Sequence, residues 1–311
     1  MSYNNASFSS GYKNPIESLG IEQFGSNKYV AGGREFLSSN TIVAKFAFIL
    51  LVVLGAVFLI RFGTMMLVWL LKPDTSPYIV YGKRDGSTTQ KYNTNPKNPK
   101  SIPISRSRNE RDGVEFTWTI WLKIKKLAYD RQYGNHTNNF QHIFSKGGET
   151  NYPSNKGASG DFIVNSSPGL YLKTGSRGEG SENGRSNSLV VTMNTFNNPF
   201  EKVEIEPIPL KKWIHVAIRQ RGKFNDVYIN GVISKRTKFS SPVKQNYGNV
   251  FTGLNGGFDG EISNLQYHNY ALTGTKIAAL TRQGPNLKEA DDSSGINPAP
   301  NYFAMNWYIK G

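Results

Sequence analysis

The sequence contains no cysteine among its 311 residues. This absence excludes disulfide scaffolds, cysteine-ligated zinc or iron–sulfur centres, and thiol catalysis. Only four histidines are present, which leaves little material for a multi-histidine metal site, and charged residues make up 19% of the chain. A disordered polyelectrolyte is excluded as well, because such chains are poor in aromatic residues, which here reach 13%.

Glycine and proline are abundant, with 31 and 15 residues, which is typical of a turn-rich β protein. The formal net charge is +15, and the excess follows residue 71, with nine basic against four acidic residues at 72–112 and twenty-one against twelve at 113–283. Such an excess favours acidic partners or anionic membrane surfaces, and salt should weaken its contribution. No pattern typical of specific nucleic-acid recognition accompanies it.

The strongest single feature is a long apolar run, Phe46–Leu71, whose one charge is Arg61. As a helix, its 26 residues would be about 39 Å long, enough to cross a hydrocarbon core of roughly 30 Å. We therefore predict a transmembrane helix at 42–71, with Phe46, Arg61, Trp69 and Leu71 within the span. A buried soluble helix is disfavoured, since such helices rarely stay apolar on every face for this length.

Two arrangements account for Arg61. Either one long tilted helix spans the bilayer and Arg61 snorkels or pairs with a partner, or the span ends at Ile60 and the rest lies at the interface. The basic residues that flank the run favour a cytosolic location for the domain that follows it.

The flanks of the run differ in composition. Residues 1–41 form a polar, Ser/Asn/Gly-rich arm dotted with aromatic residues, and residues 72–112 are basic and rich in proline. We expect 72–112 to be an extended stalk that contacts anionic lipid or an acidic partner, with a solvated spacer as the alternative. The basic residues proposed for these contacts are Lys72, Lys83, Arg84 and Lys91.

From residue 113 to residue 283 the pattern has a period of two. In Phe116–Ile124 the apolar residues alternate with threonine and lysine, which predicts a half-buried antiparallel strand. Similar short runs follow, and Asn230-Gly231 between two of them predicts a type I′ hairpin turn. Many short strands without a long amphipathic helix indicate a sandwich or jelly roll. A proline-broken tail occupies 284–311.

Several motifs of this region, in this order, carry a family resemblance. They are Phe116-Thr-Trp-Thr-Ile-Trp, His142-Ile-Phe-Ser-Lys, Gly169-Leu-Tyr-Leu, Trp213-Ile-His-Val-Ala, Asp226-Val-Tyr-Ile-Asn-Gly and Gly256-Gly-Phe-Asp-Gly-Glu-Ile-Ser-Asn-Leu. The region resembles the laminin-G / concanavalin A-like lectin–glucanase superfamily, which implies an all-β, concanavalin A-like antiparallel sandwich. The stretch from Lys244 to Phe258 resembles the laminin-G-like proteins of large DNA viruses of algae and protists, which enclose an internal membrane beneath a capsid.

The resemblance raises two kinds of chemistry. Relatives that hydrolyse glycosides carry Glu-x-Asp-x-x-Glu on one strand, whereas the acidic cluster here, Glu201–Glu206, lacks the central aspartate and its spacing. We therefore expect no catalytic residues, with Glu204 as the residue to test. Other relatives bind sugars, often with calcium, which needs several oxygen ligands. The residues considered for glycan or ion contacts are Asp161, Asp226, Tyr247 and Asp259.

The sequence thus predicts a non-catalytic, single-pass membrane protein whose sandwich makes contacts. If the viral resemblance holds, it is a minor capsid or virion membrane protein that tethers the internal membrane to capsid or other virion proteins, with its C-terminal domain on the cytosolic or capsid-facing side. The alternative is a carbohydrate-binding adhesin on a cell or virion surface. No cofactor is expected, apart from the calcium that a lectin would use.

Overall fold

The computed structural model describes residues 35, 41–71, 74–95, 97–98, 101–126, 140–150, 162–174, 187–205 and 208–290. The chain divides into two compact units, Met1–Leu71 and Lys72–Gly311. The arm at 1–41, apart from residues 35 and 41, and the tail at 291–311 lie outside the described residues.

The first unit contains one long helix, α1 (Ile42–Leu71), of 30 residues. Thr41 begins it: its hydroxyl accepts a hydrogen bond from the Ala44 N–H at 3.3 Å, which satisfies a backbone donor of the first turn. The helix continues through Arg61 without a break. Its segment Ile42–Leu70 is long and apolar enough to cross a membrane, with a mean hydropathy of 2.8.

The apolar residues of α1 are exposed around its whole circumference. The five consecutive residues Leu50–Leu54 are each at least half exposed. Successive residues of a helix point about 100° apart, so these five cover every side of it. No face of α1 is therefore reserved for a protein core, as the sequence predicted.

The second unit is an antiparallel β-sandwich, which agrees with the predicted fold class, and its described residues include thirteen strands. The strands are β1 (Tyr78–Asp85), β2 (Gln90–Tyr92), β3 (Arg108–Glu110), β4 (Gly113–Ile124), β5 (Phe140–Gly147), β6 (Gly169–Thr174), β7 (Asn187–Met193), β8 (Glu201–Ile205), β9 (Trp213–Arg221), β10 (Phe224–Ile229), β11 (Val232–Lys238), β12 (Asn249–Thr252) and β13 (Gly260–His268). A 3-10 turn at Leu254–Gly256 and a helix, α2 (Gly274–Gln283), complete it.

The strands form two sheets. One follows the order β1-β13-β4-β9-β10-β11, with β3 added beside β4, and the other follows β2-β12-β5-β6-β7-β8. Apolar side chains from both sheets meet in one core, whose largest members include Trp118, Phe144 and Tyr267. The Asn230-Gly231 turn joins β10 to β11 with both residues at positive φ, 49° and 83°, as a type I′ hairpin requires.

Both outer faces of the sandwich are partly covered. α2 packs on the first sheet, where Leu272 and Ile277 contact Ala217 and Tyr228. Residues Phe162 and Ile163 pack on the second sheet against Tyr171. The described residues 162–164 belong to none of these strands and instead cover the second sheet.

The segment 72–112 differs from the predicted stalk. β1 pairs with β13, β2 with β12 and β3 with β4, so this segment supplies three strands of the sandwich. The physical reason is that Ile79 and Val80 are completely buried, so their short apolar run is a core strand and not part of a stalk. The second unit begins at Lys72, well before residue 113, where the sandwich was predicted to start.

Strand register defines two ends of the sandwich. Near one end Thr117 of β4 pairs with His268 and Arg219, and at the other Lys123 pairs with Glu261 and Trp213. We call the first the proximal end, because the described chain of the sandwich starts there at Asp74, and the second the distal end. Described proximal connections are 111–112, 194–200, 222–223 and 239–248, and distal ones are 86–89, 125–126, 208–212, 230–231 and 253–259.

Candidate interaction surfaces

Exposed aromatic side chains concentrate at the proximal end. Tyr247 is 72% exposed, Phe196 66% and Phe224 39%. The ammonium groups of two lysines stand over the phenylalanine rings, Lys244 at 5.8 Å from the Phe196 centroid and Lys238 at 5.9 Å from that of Phe224. Exposed rings paired with cations are amphipathic groups, suited to a surface that is partly apolar and partly anionic.

The loop that carries Phe196 is fixed by hydrogen bonds to the neighbouring connection 239–248. The Phe196 N–H donates to the Pro242 carbonyl at 3.2 Å, and the Asn197 N–H donates to the Ser241 hydroxyl at 2.9 Å. The Lys244 N–H donates to the Asn194 carbonyl at 2.9 Å. These hydrogen bonds hold in place the backbone of the loop that carries the exposed Phe196 ring.

The turn that carries Tyr247 is fixed in a similar way. The Asn246 amide donates to the Asn165 carbonyl and accepts a hydrogen bond from the Gly248 N–H at 2.7 Å. The Lys146 ammonium, almost completely buried, donates to the Gly248 carbonyl at 2.7 Å. Burial lowers the pKa of Lys146 to about 8, because the charged form has lost its hydration.

The distal end is rich in lysine. Lys125 and Lys126 follow β4, and Lys211 is joined to them because its N–H donates to the Ile124 carbonyl at 2.7 Å. Lys212 is the next residue in the chain, and Lys123 is the last residue but one of β4. Carboxylates lie there too: Glu261 stands among the lysines, Asp85 lies beside Lys125, and the Asp259 carbonyl accepts hydrogen bonds from the Lys125 and Lys126 N–H groups.

Glu261 is held by three ammonium groups. Its oxygens lie 3.1 Å from the Nζ of Lys125, 3.7 Å from that of Lys123 and 3.8 Å from that of Lys83. Partial burial acts to raise the pKa of Glu261, but the lysines outweigh this effect and hold the pKa below its usual value. The surrounding lysines therefore outnumber the carboxylate that they share.

Asp226, a predicted glycan or ion contact, has a different role in the structure. Its carboxylate is buried on the outer side of β10, with Arg219 Nη2 at 2.6 Å and Arg236 Nε at 2.6 Å. Burial acts to raise the pKa of Asp226, but the two guanidinium groups hold it below its usual value. An ion would have to displace both arginines, so we assign Asp226 a structural role.

The remaining predicted glycan or ion contacts do not form one site. Tyr247 lies at the proximal end, before β12, whereas Asp259 lies at the distal end, before β13. Strand β13 alone, of nine residues, separates these ends by about 30 Å. Asp161 lies outside the described residues. Within the described parts of the chain, no three histidine, aspartate or glutamate side chains come close enough to hold a metal ion.

The predicted lipid or acidic-partner contacts are also dispersed. Lys83 and Arg84 lie on the half of β1 that leads to the distal end, where Lys83 pairs with Glu289 at 2.8 Å. Lys91 of β2 pairs with Glu149 at 2.7 Å. Lys72 lies outside the described residues, as does the side chain of Leu71.

The acidic cluster of β8 does not present the carboxylate pair of a glycosidase. Glu201 and Glu204 are three residues apart on one strand, so their side chains point to opposite faces. Glu201 accepts hydrogen bonds from Ser240, and Glu204 accepts them from Lys173 at 2.8 Å and Ser188 at 2.7 Å. Glu206 lies outside the described residues.

Three buried histidines fasten peripheral segments to the sheets. His142 Nδ1 accepts a hydrogen bond from the Leu254 N–H at 3.1 Å. His215 Nδ1 forms a hydrogen bond with the Thr281 hydroxyl of α2 at 2.8 Å. His268 Nδ1 forms one with the Ser76 hydroxyl at 2.9 Å. Burial lowers the pKa of His142 to about 3 and those of His215 and His268 to about 4. All three are therefore neutral near pH 7, and each has a structural partner.

The sequence analysis did not single out Phe196, Phe224 or Lys146. Phe196 stands in Asn194-Thr-Phe-Asn-Asn-Pro199, and an aromatic residue within a turn-forming run is a usable indication of an exposed ring. Lys146 follows the buried residues of β5 in the sequence. Its own side chain is buried because the turn that carries Tyr247 packs over it.

Part of the sandwich is similar to a known family. Residues 173–278 match the model of a family described as the concanavalin A-like lectin/glucanases superfamily. The sandwich has the concanavalin A-like fold that the sequence motifs implied. No curated protein matches the sequence.

Some solved structures are similar to this chain. The ligand binding domain of botulinum neurotoxin serotype D, in complex with N-acetylneuraminic acid, is 13% identical with a TM-score of 0.42, over 68% of this chain and 50% of that one. The receptor binding domain of a botulinum neurotoxin C/D mosaic serotype is 14% identical with a TM-score of 0.38, over 55% of this chain and 36% of that one. The chain thus spans about a third to a half of these structures, and likenesses this slight say nothing about its ligands.

Proposed function

We propose that this protein is a single-pass membrane anchor whose β-sandwich holds a second macromolecule beside the bilayer without chemically changing it. The observation that carries the proposal is α1, whose apolar side chains are exposed on every side along the whole helix. A helix satisfies its own backbone hydrogen bonds, so it is stable in hydrocarbon, whereas the same surface in water would be a large exposed apolar patch.

The distal end supports an acidic partner. Lys123, Lys125, Lys126, Lys211 and Lys212 stand close together there, with Glu261 among them. Charges of one sign clustered on one surface attract a partner of the other sign and raise its association rate. A protein surface rich in aspartate and glutamate is the complement of this end.

The finer form of the proposal concerns location. The protein would lie in a virion, with α1 in the internal membrane and the sandwich on the capsid-facing side, where an acidic capsid or other virion protein would meet the distal lysines. Its support is the resemblance of 244–258 to laminin-G-like proteins of large DNA viruses, together with the distal charge.

Photocrosslinking of the full chain in intact membranes or particles, through a benzophenone attached to Leu210→Cys beside the distal lysines, tests the proposal. We expect a crosslink to an acidic protein, and its loss in a variant with four further distal changes: Lys125→Gln, Lys126→Gln, Lys211→Gln and Lys212→Gln. A control variant loses the same charge at the proximal end: Lys223→Gln, Lys238→Gln, Lys244→Gln and Lys276→Gln.

The control should keep capture of the partner protein through the distal lysines. If no protein is crosslinked, or if both variants capture their partner equally well, the acidic-partner proposal fails. Raising the salt concentration should reduce capture by the unchanged chain, because exposed charges are screened over about 10 Å at 0.1 M salt.

Glycan binding is the second candidate function, and the exposure of Tyr247 on a fixed turn favours it, since aromatic faces stack on sugar rings. A glycan array probed with the full chain in lipid nanodiscs tests it. Specific binding that Tyr247→Ala abolishes would support an adhesin, and calcium removal would show whether an ion takes part. Binding to no glycan would reject this candidate.

A further inference from the structure

We propose that the proximal end of the sandwich rests on the anionic lipid headgroups of the bilayer that α1 crosses. Phe196, Phe224 and Tyr247 would reach the interface between headgroups and acyl chains, and the lysines beside them would face lipid phosphates. This inference rests on the membrane anchor of the proposed function, to which it adds a specific lipid-facing surface.

The covalent chain sets the first condition. Only Lys72 and Pro73 separate the last residue of α1 from Asp74. Three residue steps span at most about 11 Å, so Asp74 cannot leave the vicinity of the bilayer surface once α1 is inserted. We infer from this short link that the proximal end, where Asp74 lies, faces the lipid.

The segment after Asp74 cannot swing away from the sheet without loss of hydrogen bonds. The Asn269 N–H donates to the Thr75 carbonyl at 3.0 Å, and the Tyr267 N–H donates to the Pro77 carbonyl at 3.1 Å. The Ser105 hydroxyl donates to the Asp74 carbonyl at 2.9 Å. The first residues of the second unit are therefore part of the folded sandwich, and no flexible spacer follows them.

The distribution of exposed apolar side chains is the second, independent observation. Outside α1, every large aromatic residue that the described chain exposes strongly is at the proximal end, namely Phe196, Phe224 and Tyr247. The other large apolar residues that the described chain exposes outside α1 are all aliphatic: Leu210, Val232, Ile233 and Leu287. Aromatic residues are the ones enriched where membrane meets water, because their rings are apolar and still tolerate polar neighbours.

Basic side chains accompany these rings. Besides Lys244 over Phe196 and Lys238 over Phe224, Arg108 and Lys276 lie 5.2 and 5.6 Å from the centroid of the half-buried Tyr270 ring. Lys and Arg side chains near an anionic bilayer are attracted to its surface. Acidic residues at the same end, Asp74, Glu110 and Asp112 among them, reduce the net charge, so the aromatic side chains supply much of the attraction.

The proximal loops are also pre-organised for contact with a flat surface. The hydrogen bonds under Phe196 and the buried Lys146 under the Tyr247 turn fix both rings before any contact forms. A rigid loop loses little conformational entropy on binding, so most of the energy of ring burial would stabilise the contact.

The chain has no cysteine, so single labels can be placed at will. We would attach a fluorophore to Asn197→Cys, beside Phe196, or to Lys212→Cys at the distal end, in the full chain. Both variants are reconstituted in vesicles of phosphatidylcholine and phosphatidylserine, with or without lipids whose headgroups carry a nitroxide quencher. We expect most of the emission at position 197 to be lost in quencher vesicles, and emission at position 212 to be unchanged.

A triple variant tests whether the aromatic rings cause the contact. Phe196→Ala, Phe224→Ala and Tyr247→Ala together should restore emission at position 197, whereas the aliphatic control Leu210→Ala, Val232→Ala and Leu287→Ala should not. All six residues are exposed, so both variants should fold.

Each outcome bears on a different part of the account. If the chain floats with the vesicles but position 197 stays bright, the lipid-facing surface is refuted and the anchor survives. Quenching at position 212 instead would refute it too, as would glycan binding that depends on Tyr247 together with a bright position 197. If the chain does not float with vesicles, the proposed anchor itself fails.

Discussion

The two ends of the sandwich are built from different residues. The proximal end carries exposed aromatic rings on or beside loops that hydrogen bonds hold in place, including one from the buried Lys146. The distal end carries lysines on short connections, organised around the partly exposed Glu261. A module with chemically distinct ends can contact two different surfaces, which is what a tether between a bilayer and a protein layer requires.

Acid should have the largest effect on the sandwich, because it acts at both ends. The pKa values of His142, His215 and His268 lie below the ordinary value of 6.5, so below pH 6.5 the unfolded chain binds protons that the folded chain refuses until about pH 3 to 4. The stability that the neutral histidines contribute is thus fully present above pH 6.5. As the pH falls below 6.5, the free energy of unfolding decreases, by about 2 kcal/mol per histidine at pH 5.

Denaturant unfolding of the full chain at pH 7 and pH 5 measures this loss. His268→Gln, which removes the histidine that bonds to Ser76, should flatten the pH dependence between pH 5 and pH 7 by about a third, whatever its effect on stability at pH 7. Equal free energies of unfolding at both pH values would show that these rings are not neutral and buried.

Asp226→Ala is expected to have the next largest effect. The substitution leaves Arg219, which is mostly buried, without its carboxylate, and breaking a buried ion pair costs about 3 to 5 kcal/mol. The control is Asp259→Ala, at a less buried aspartate of the distal end, which should change stability by less than about 0.5 kcal/mol. Equal effects of the two substitutions would mean that Asp226 is not structural and would restore it as a ligand candidate.

Glu261→Ala should have a smaller effect on folding than Asp226→Ala. The Glu261 side chain is partly solvated, and its three lysine contacts range from 3.1 to 3.8 Å, so we expect a loss of about 1 kcal/mol. The substitution also removes the central negative charge of the distal end, so the affinity for an acidic partner should rise. A decrease in that affinity would place the partner elsewhere on the sandwich.

Period-two patterns and turn chemistry predicted much of the sandwich. The alternation at 116–124 corresponds to β4, and Asn230-Gly231 forms the hairpin turn that its positive-φ preference predicts. Trp121 interrupts the alternation because α2 and its neighbours cover the outer face as well, where the Trp121 ring lies 5.2 Å from that of His215. The alternation by itself did not indicate this second layer.

The surfaces were harder to predict than the strands. Exposure of Phe196 depends on which loop folds against which, and the burial of Asp226 depends on Arg219 and Arg236 from strands on either side of β10. The stalk prediction failed because β1 is completed only by pairing with β13, about 180 residues further along the chain. Local patterns carry little information on such long-range pairings.

Extraction of the full chain from membranes with alkaline carbonate tests the central claim, that α1 anchors the sandwich in lipid. The account predicts that the unchanged chain stays in the membrane pellet and that a variant with Leu51→Lys and Leu54→Lys moves toward the supernatant, since each lysine at the centre of a span costs about 2.5 to 3.5 kcal/mol. Recovery of the unchanged chain in the supernatant would contradict the account.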